Sequence, residues 1–221
     1  MTYRVQGGCV SIEFLVMGPI ENNVYIIDDG ESTIVVDPTT SAPQIVSALG
    51  GRTLDAIVLT HTHFDHVGGA NELRRITGAT TIASVGDAPY IDGSKKLAPS
   101  HWGFEPCPVD RVVTEGEIVE IGSMKWRVLE TPGHTHGSIC LFLESQYGSD
   151  KQGAPVLISG DTLFHGAHGR TDFDEGDPAA MRESLAKLAK LPPETIVLPG
   201  HNAQTTIQAE SFWLNRGDVF R

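Results

Sequence analysis

Cysteine is scarce in this chain. The 221 residues contain three, Cys9, Cys107 and Cys140, odd in number, widely spaced and without a CxxC pair. That argues against a disulfide framework and against a cysteine-rich zinc site. Basic residues are also few: 16 Lys and Arg stand against 28 Asp and Glu, a formal net charge of −12 with histidine neutral. Nucleic-acid affinity rests largely on Lys and Arg contacts to phosphate, so no nucleic-acid partner is expected. An anionic membrane surface is disfavoured for the same reason. A bound divalent cation would reverse the sign locally, which leaves an anionic small-molecule substrate open. No apolar run approaches the ~18 residues of a transmembrane helix. Glu13 falls where a signal peptide needs its apolar segment. A reducing cytoplasm is the expected compartment, a small molecule the expected partner, and the oligomeric state is left open.

What is present describes a globular chain. Hydrophobic residues make up 40% and charged residues 20%, and a chain of this size buries ~70% of its unfolded surface. With 24 Gly and 13 Pro, many turns between short elements are expected. Residues 23–28 and 32–37 read as strands joined at Asp29-Gly30-Glu31, a hairpin signal. A short helix over 43–49 stops at Gly50-Gly51, and Ala56-Ile57-Val58-Leu59 reads as a strand buried on both faces. A helix over 71–76 and a strand over 80–85 follow. Residues 86–110 have no periodicity and read either as a binding loop or as a surface excursion with one short helix. Residues 111–130 give three β-like runs broken at Glu115-Gly116 and Gly122-Ser123, an antiparallel meander. Strands are predicted at 138–143, 155–159 and 195–199. Met181, Leu185 and Leu188 recur at helical spacing from Pro178 onward, ended by Pro192-Pro193, and 205–215 reads as a closing helix. No repeat, linker or low-complexity tract divides residues 1–221, so one domain is expected.

The chemistry-bearing residues share a placement: they follow strand-like runs. One run ends in His61-Thr62-His63-Phe64-Asp65-His66, another in Thr131-Pro132-Gly133-His134, a third in Gly160-Asp161 and a fourth in Gly200-His201. In α/β sheets, ligand sites gather at the carboxyl ends of strands. His61 and His63 are two apart and share a face in an extended segment. Asp65 and His66 follow as the chain enters a helix expected near Val67-Gly68-Gly69, and so can point elsewhere. One motif can therefore serve two ions, and His61, His63, Asp65, His66, His134, Asp161 and His201 supply seven ligands of N and O type. Such a set suits two divalent ions, Zn²⁺ first, with Fe and Mn also fitting.

The segments HTHFDHVGG (61–69), TPGHTHGS (131–138), GDTLF (160–164) with GRTDF (169–173), and PGH (199–201) resemble the metallo-β-lactamase superfamily. The GDTLF and GRTDF segments look like its glyoxalase II-type thioester hydrolases, as a single-domain form. The resemblance implies an α/β (α+β) fold, an αββα four-layer sandwich of two mixed β-sheets flanked by helices, with metals at one edge. By the same resemblance, His61, His63 and His134 match the ligands of a first metal. Asp65, His66 and His201 match those of a second, and Asp161 matches the bridging carboxylate. The implied reaction is metal-assisted hydrolysis: water activated to hydroxide attacks the carbonyl of a thioester of hydroxyacylglutathione type, or of a related ester or lactone. Asp65 is the catalytic candidate, as the residue that orients that hydroxide.

Two-domain members of that branch carry a helical domain after the last metal histidine, and part of their glutathione site lies there. Here 20 residues follow His201, so a glutathione site is not carried over unless Lys95 and Lys96 serve it. The alternative function is a mononuclear iron persulfide dioxygenase of the same superfamily. A nucleic-acid-processing member and a β-lactamase proper fit less well, the latter because its best-known class has cysteine where Asp161 stands. Cys140, inside an apolar run, reads as core. Thr135 and His136 read as supports of the ligands or as turn residues, His165 and His168 as solvated or pocket-lining, and Arg170 with Asp172 as a structural pair or as holders of the ligand loops, not as catalytic residues.

Overall fold

The first half of the chain builds one sheet and the helices that cover it. The computed structural model describes residues 3–7, 10–96, 102–144 and 153–214. Strands β1 (Tyr3–Gly7), β2 (Val10–Met17), β3 (Asn22–Asp28) and β4 (Thr33–Val36) form an antiparallel meander. Helix α1 (Ala42–Leu49) then leads to β5 (Ala56–Val58), and α2 (Phe64–Val67) with α3 (Ala70–Thr77) leads to β6 (Thr80–Ser84). After α4 (Ala88–Ile91), β7 (Arg111–Val113) closes the sheet; β5, β6 and β7 continue it in parallel from β4. The second sheet comprises β8 (Ile118–Ile121), β9 (Met124–Glu130), β10 (Ile139–Leu143) and β11 (Val156–Gly160). A small hairpin, β12 (Leu163–Phe164) and β13 (Ala167–His168), and α5 (Pro178–Leu188) precede β14 (Ile196–Pro199), β15 (Thr205–Thr206) and α6 (Ile207–Leu214). The order in this sheet is β15-β14-β11-β10-β9-β8, and the β11–β14 pair is parallel.

Three apolar clusters show why the layers stack as they do. Between the sheets lie Ile12, Tyr25, Ile27, Ile34, Val58, Trp126, Leu141 and Ile158. Between the first sheet and its helices lie Ile26, Val35, Ile45, Ile57, Leu59, Val67 and Leu73. Between the second sheet and α5 and α6 lie Cys140, Phe142, Leu157, Met181, Leu185, Val197 and Leu214. Tyr25 and Ile27 face one cluster while Ile26 faces another, because successive strand side chains point to opposite faces. Both faces are covered, so β3, β4, β5 and β11 read as continuous apolar runs rather than alternating ones. The result is the four-layer αββα sandwich that the family resemblance implies.

Several local expectations are corrected. The three runs of 111–130 are not one meander: β8 and β9 pair, but β7 belongs to the other sheet, parallel to β6. The helix expected near Val67 begins at Phe64, so Asp65 and His66 sit in its first turn. The closing helix is 207–214 among the described residues, preceded by the short strand β15. Strand β2, which reading of the sequence left unassigned, carries Glu13 with Ile12 buried on its inner face. The 86–110 segment holds one short helix, α4, while its residues 97–101 lie outside the described ones, as does Cys9.

The hairpin at Asp29-Gly30-Glu31 also ties the sheets together. Asp29 Oδ1 accepts from the N–H of Glu31 (2.9 Å) and Ser32 (2.7 Å). Its Oδ2 accepts from the Ser123 N–H (2.6 Å) and hydroxyl (2.8 Å), in the β8–β9 turn. Burial raises its pKa, but these donors together outweigh burial and hold the carboxyl at about 2. A depressed folded-state pKa contributes stability that is present above the usual carboxylate value and lost as pH falls through about 2. Asp29→Ala is therefore expected to cost about 1 kcal/mol at pH 7, after allowance for solvent screening. The difference from the parent chain should shrink toward zero between pH 4 and pH 2 in denaturant titrations, and a pH-independent difference would contradict this.

Candidate metal centre

Four strand ends meet at one rim of the sandwich. His61 and His63 follow β5 of the first sheet, and Asp65 and His66 lie on α2 directly after them. His134 follows β9, Asp161 follows β11 and His201 follows β14, all in the second sheet. The rim is stitched across the sheets. The Ile139 N–H donates to the Thr60 carbonyl (3.0 Å), and the Asn23 N–H donates to the Gly200 carbonyl (2.7 Å). The Tyr25 hydroxyl (2.7 Å) and the Asn23 amide (2.9 Å) both donate to the Pro199 carbonyl. Gly200 is required by proximity: a Cβ there would overlap the Asp161 carboxylate and stand 2.6 Å from His66 Cε1.

All seven residues singled out in the sequence come together. Ligand atoms of His61, His63 and His134 lie within 4.8 Å of one another, and so do those of Asp65, His66 and His201. Asp161 stands between the two triads. Its Oδ1 is 3.3 Å from His66 Nε2, and its Oδ2 is 3.4 Å from His134 Nε2 and 3.7 Å from His201 Nε2. Asp65 Oδ2 is 3.1 Å from His201 Nε2 and 3.3 Å from His66 Nε2.

The outer nitrogens of the imidazoles are each engaged, which settles the tautomers. His66 Nδ1 donates to Asp37 Oδ2 (2.9 Å), His134 Nδ1 to the Arg170 carbonyl (2.7 Å) and His201 Nδ1 to the Ile20 carbonyl (3.1 Å). His61 Nδ1 lies 3.0 Å from Thr60 Oγ1, whose proton is directed to Asp37 Oδ2 at 2.7 Å, so His61 is the donor. His63 Nε2 is 3.0 Å from Glu175 Oε1. The inner nitrogens of these rings are the ones that remain for a cation. The inner Nε2 atoms of His61, His66 and His134, and Asp161 Oδ1, are buried without a hydrogen-bond partner. Buried polar atoms are rarely left so. A set of orphaned N and O atoms converging on one volume fits divalent cations.

The charges within the cluster favour the same use. Burial first, then the neighbouring imidazoles, holds His61 well below the usual histidine range. Burial likewise takes His134 to about 4, although Asp161 opposes it. Burial would raise Asp161, but His66 and the other imidazoles outweigh it and bring it to about 2. Asp65 lies below the usual carboxylate range by the pull of His66 and His201 against burial. In His66 the order reverses: burial lowers it, but Asp161, Asp37 and Asp65 raise it well above the ordinary value. Metal ligands must be deprotonated, and His61, His134 and both carboxylates are so at neutral pH.

Three residues that the sequence did not disclose support the cluster. Asp37, at the end of β4, accepts the Thr60 N–H (2.8 Å) and hydroxyl as well as His66. Its oxygens are thereby occupied, so it orients His66 from behind although it lies near His61 and His66. Asp87 accepts from the N–H groups of Thr62 (2.9 Å) and Gly137 (3.0 Å) and from the Thr135 hydroxyl (2.8 Å), joining the two histidine loops. Burial raises its pKa to about 6 despite these donors. Thr135 is thus a support of the ligand loops. Glu175 is the third.

A cavity of about 650 Å³ opens over the cluster, lined by His63, Asp65, His134, Asp161 and His201 and walled by Phe64, Trp102, Phe164 and Phe173. Trp102 and Phe64 rings are 4.6 Å apart, and the Arg170 guanidinium lies 4.5 Å over Phe173. His168 lines this cavity, and the exposed Arg170 pairs with Asp172 at 2.8 Å. Lys96 lines a separate cavity of about 270 Å³ with Asp87 and Tyr90, and Lys95 stacks on Tyr90 at 5.6 Å, so neither reaches the larger one. Cys140 is core, its thiol pushed up to about 11 by burial.

Residues 17–201 match the family model described as metallo-beta-lactamase superfamily. The chain belongs to that superfamily. Among its curated relatives, a hydroxyacylglutathione hydrolase of Rhodospirillum rubrum is 38% identical over 169 residues, 76% of this chain. The chain matches 56% of that relative's length. A probable metallo-hydrolase of Bacillus subtilis, YqgX, is 31% identical over 200 residues, covering 88% of this chain and 91% of its own. Among solved structures, TTHA1623 in a di-iron-bound form superposes with a TM-score of 0.74 at 32% identity, over 90% of this chain and 96% of that one. As a superfamily member with this cluster, the protein is a metal-binding hydrolase in its broad class. No helix among the described residues is long and apolar enough to cross a membrane.

Proposed function

We propose that this protein hydrolyses thioesters of hydroxyacylglutathione type, or related esters or lactones, with two divalent ions held by the seven-residue cluster. The observation that carries the proposal is the pairing of two triads, His61/His63/His134 and Asp65/His66/His201, across one carboxylate, Asp161. The relative named hydroxyacylglutathione hydrolase supports the substrate class. Zinc is the proposed metal. An all-N/O donor set also suits iron or manganese, and the similar di-iron structure is consistent with iron.

Metals bound there would lower the pKa of water to near 7 and polarise the scissile carbonyl. The chain's own residues supply the rest. Asp65, ionised at neutral pH, is placed to accept an O–H of the attacking water and so to orient it. Asp37, Thr60 and the Arg170 and Ile20 carbonyls fix the imidazole rings before substrate arrives. The aromatic wall of Phe64, Trp102, Phe164 and Phe173 gives an apolar acyl or thiol portion a surface to lie against. We propose a single domain over 1–221, a cytoplasmic setting and a small-molecule partner.

The test is a paired assay on the metal-loaded protein. About two zinc ions per chain with release of free thiol from an acylated glutathione, or opening of a lactone, is the expected result. One iron per chain with oxygen uptake on a persulfide, and no hydrolysis, would overturn it.

A further inference from the structure

Four of the five clustered histidines are held from behind through Nδ1. His63 alone is held through Nε2, and its acceptor is a carboxylate on a distant loop, Glu175 Oε1 at 3.0 Å. His63 offers one ring nitrogen to the first triad, and with Nε2 on Glu175 the nitrogen that remains for a metal is Nδ1. The pair is largely withdrawn from water, with side-chain exposures of 9% for His63 and 16% for Glu175.

The loop that delivers Glu175 is itself anchored to that triad. Its Arg170 carbonyl takes the His134 Nδ1–H. The Phe173 ring meets the His63 and His134 rings edge-on at 5.3 and 5.7 Å. The Gly176 N–H donates to the Phe173 carbonyl (2.9 Å), and the Asp177 N–H donates to the Gly133 carbonyl (2.9 Å), one residue before His134. Asp177 then caps α5 through Ala179 and Ala180. The carboxylate is thus presented by a fixed loop.

We propose that Glu175 is a positioning residue for the first metal site: its carboxylate holds His63 in the tautomer and ring orientation that aim Nδ1 at the metal, and so sets the affinity of that site alone. This rests on the assignment of His61, His63 and His134 to one ion. A free imidazole populates both neutral tautomers and turns about its χ2 bond, and a charged acceptor on one nitrogen suppresses both freedoms. Loss of such an outer partner typically costs ~10–100-fold in metal affinity. The second site has its own carboxylate behind a histidine, Asp37 behind His66.

The test is zinc titration of the metal-free full chain against a chromophoric chelator, with the cobalt-substituted protein followed by paramagnetic NMR. Glu175→Ala is expected to weaken the first site by ~10–100-fold and leave the second unchanged. The exchangeable His63 Nε2–H resonance should be lost to fast exchange. Glu175→Gln, whose amide oxygen still accepts that proton, should recover most of the affinity and the resonance, with an unchanged melting temperature. Affinities within twofold of the parent chain in both variants, or equal losses at both sites, would overturn the proposal. His63→Ala separates it from the assignment beneath it. If that variant leaves both affinities unchanged, the assignment of His63 fails, irrespective of what Glu175 does.

Discussion

Asp161→Ala is expected to lose metal at both sites together and to lower kcat/KM by on the order of 10³-fold or more, the scale of removing a principal electrostatic element of a hydrolytic site. The reason is position. Asp161 approaches His134 of one triad and His66 and His201 of the other, with its carboxylate buried at the end of β11. Removing it also removes the negative charge against which His66 and His201 are balanced, so bound cations would face one carboxylate, Asp65, in place of two. Metal analysis after gel filtration, alongside the thioester assay, reads both effects. Asp161→Asn keeps the shape and tests the charge, and it should fall nearly as far. Retention of two metal ions and of activity in either variant would contradict the bridging role.

Asp37→Ala carries the largest expected loss of stability. The carboxylate is 2% exposed and accepts the Thr60 N–H, the Thr60 hydroxyl and the His66 Nδ1–H. Truncation leaves those three donors buried without partners, at about 1–3 kcal/mol each if none relaxes. An overall loss of about 3–5 kcal/mol is expected, since some donors will find water. For a chain of this size that corresponds to a melting temperature lower by roughly 6–20 °C. The melt should be recorded on metal-free protein, so that lost metal binding does not enter. Asp37→Asn, which keeps one acceptor oxygen, should fall between. A shift below 2 °C for the alanine variant would show that Asp37 is a turn residue with no hold on the centre.

The histidines and Asp161 were legible because metal chemistry restricts residue type and the fold restricts place: each follows a strand. The supports were not. Asp37 precedes proline and reads as a turn signal, although by the strand-end criterion that singled out Asp161 it could have been found. Glu175 is separated from His63 by 112 residues, and Asp87 works on backbone N–H groups, so neither leaves a local pattern. The same division holds for the fold. Continuous apolar runs disclosed β3, β4, β5 and β11, since both their faces are buried. Glu115-Gly116 looks like a hairpin turn and so groups β7 with β8 and β9, whereas its true partner is β6, reached only through the intervening 86–110 segment. The helix start at Phe64 leaves no sequence signal because no capping side chain marks it: His63 occupies the cap position without a side-chain cap bond.

The most direct measurement is an anomalous-difference map from a zinc-loaded crystal, collected above the zinc edge. Two peaks ~3.5–4 Å apart are predicted, one among His61, His63 and His134 and the other among Asp65, His66 and His201, with Asp161 touching both. A single peak at full zinc loading, or peaks bound to other residues, would contradict a two-metal hydrolase.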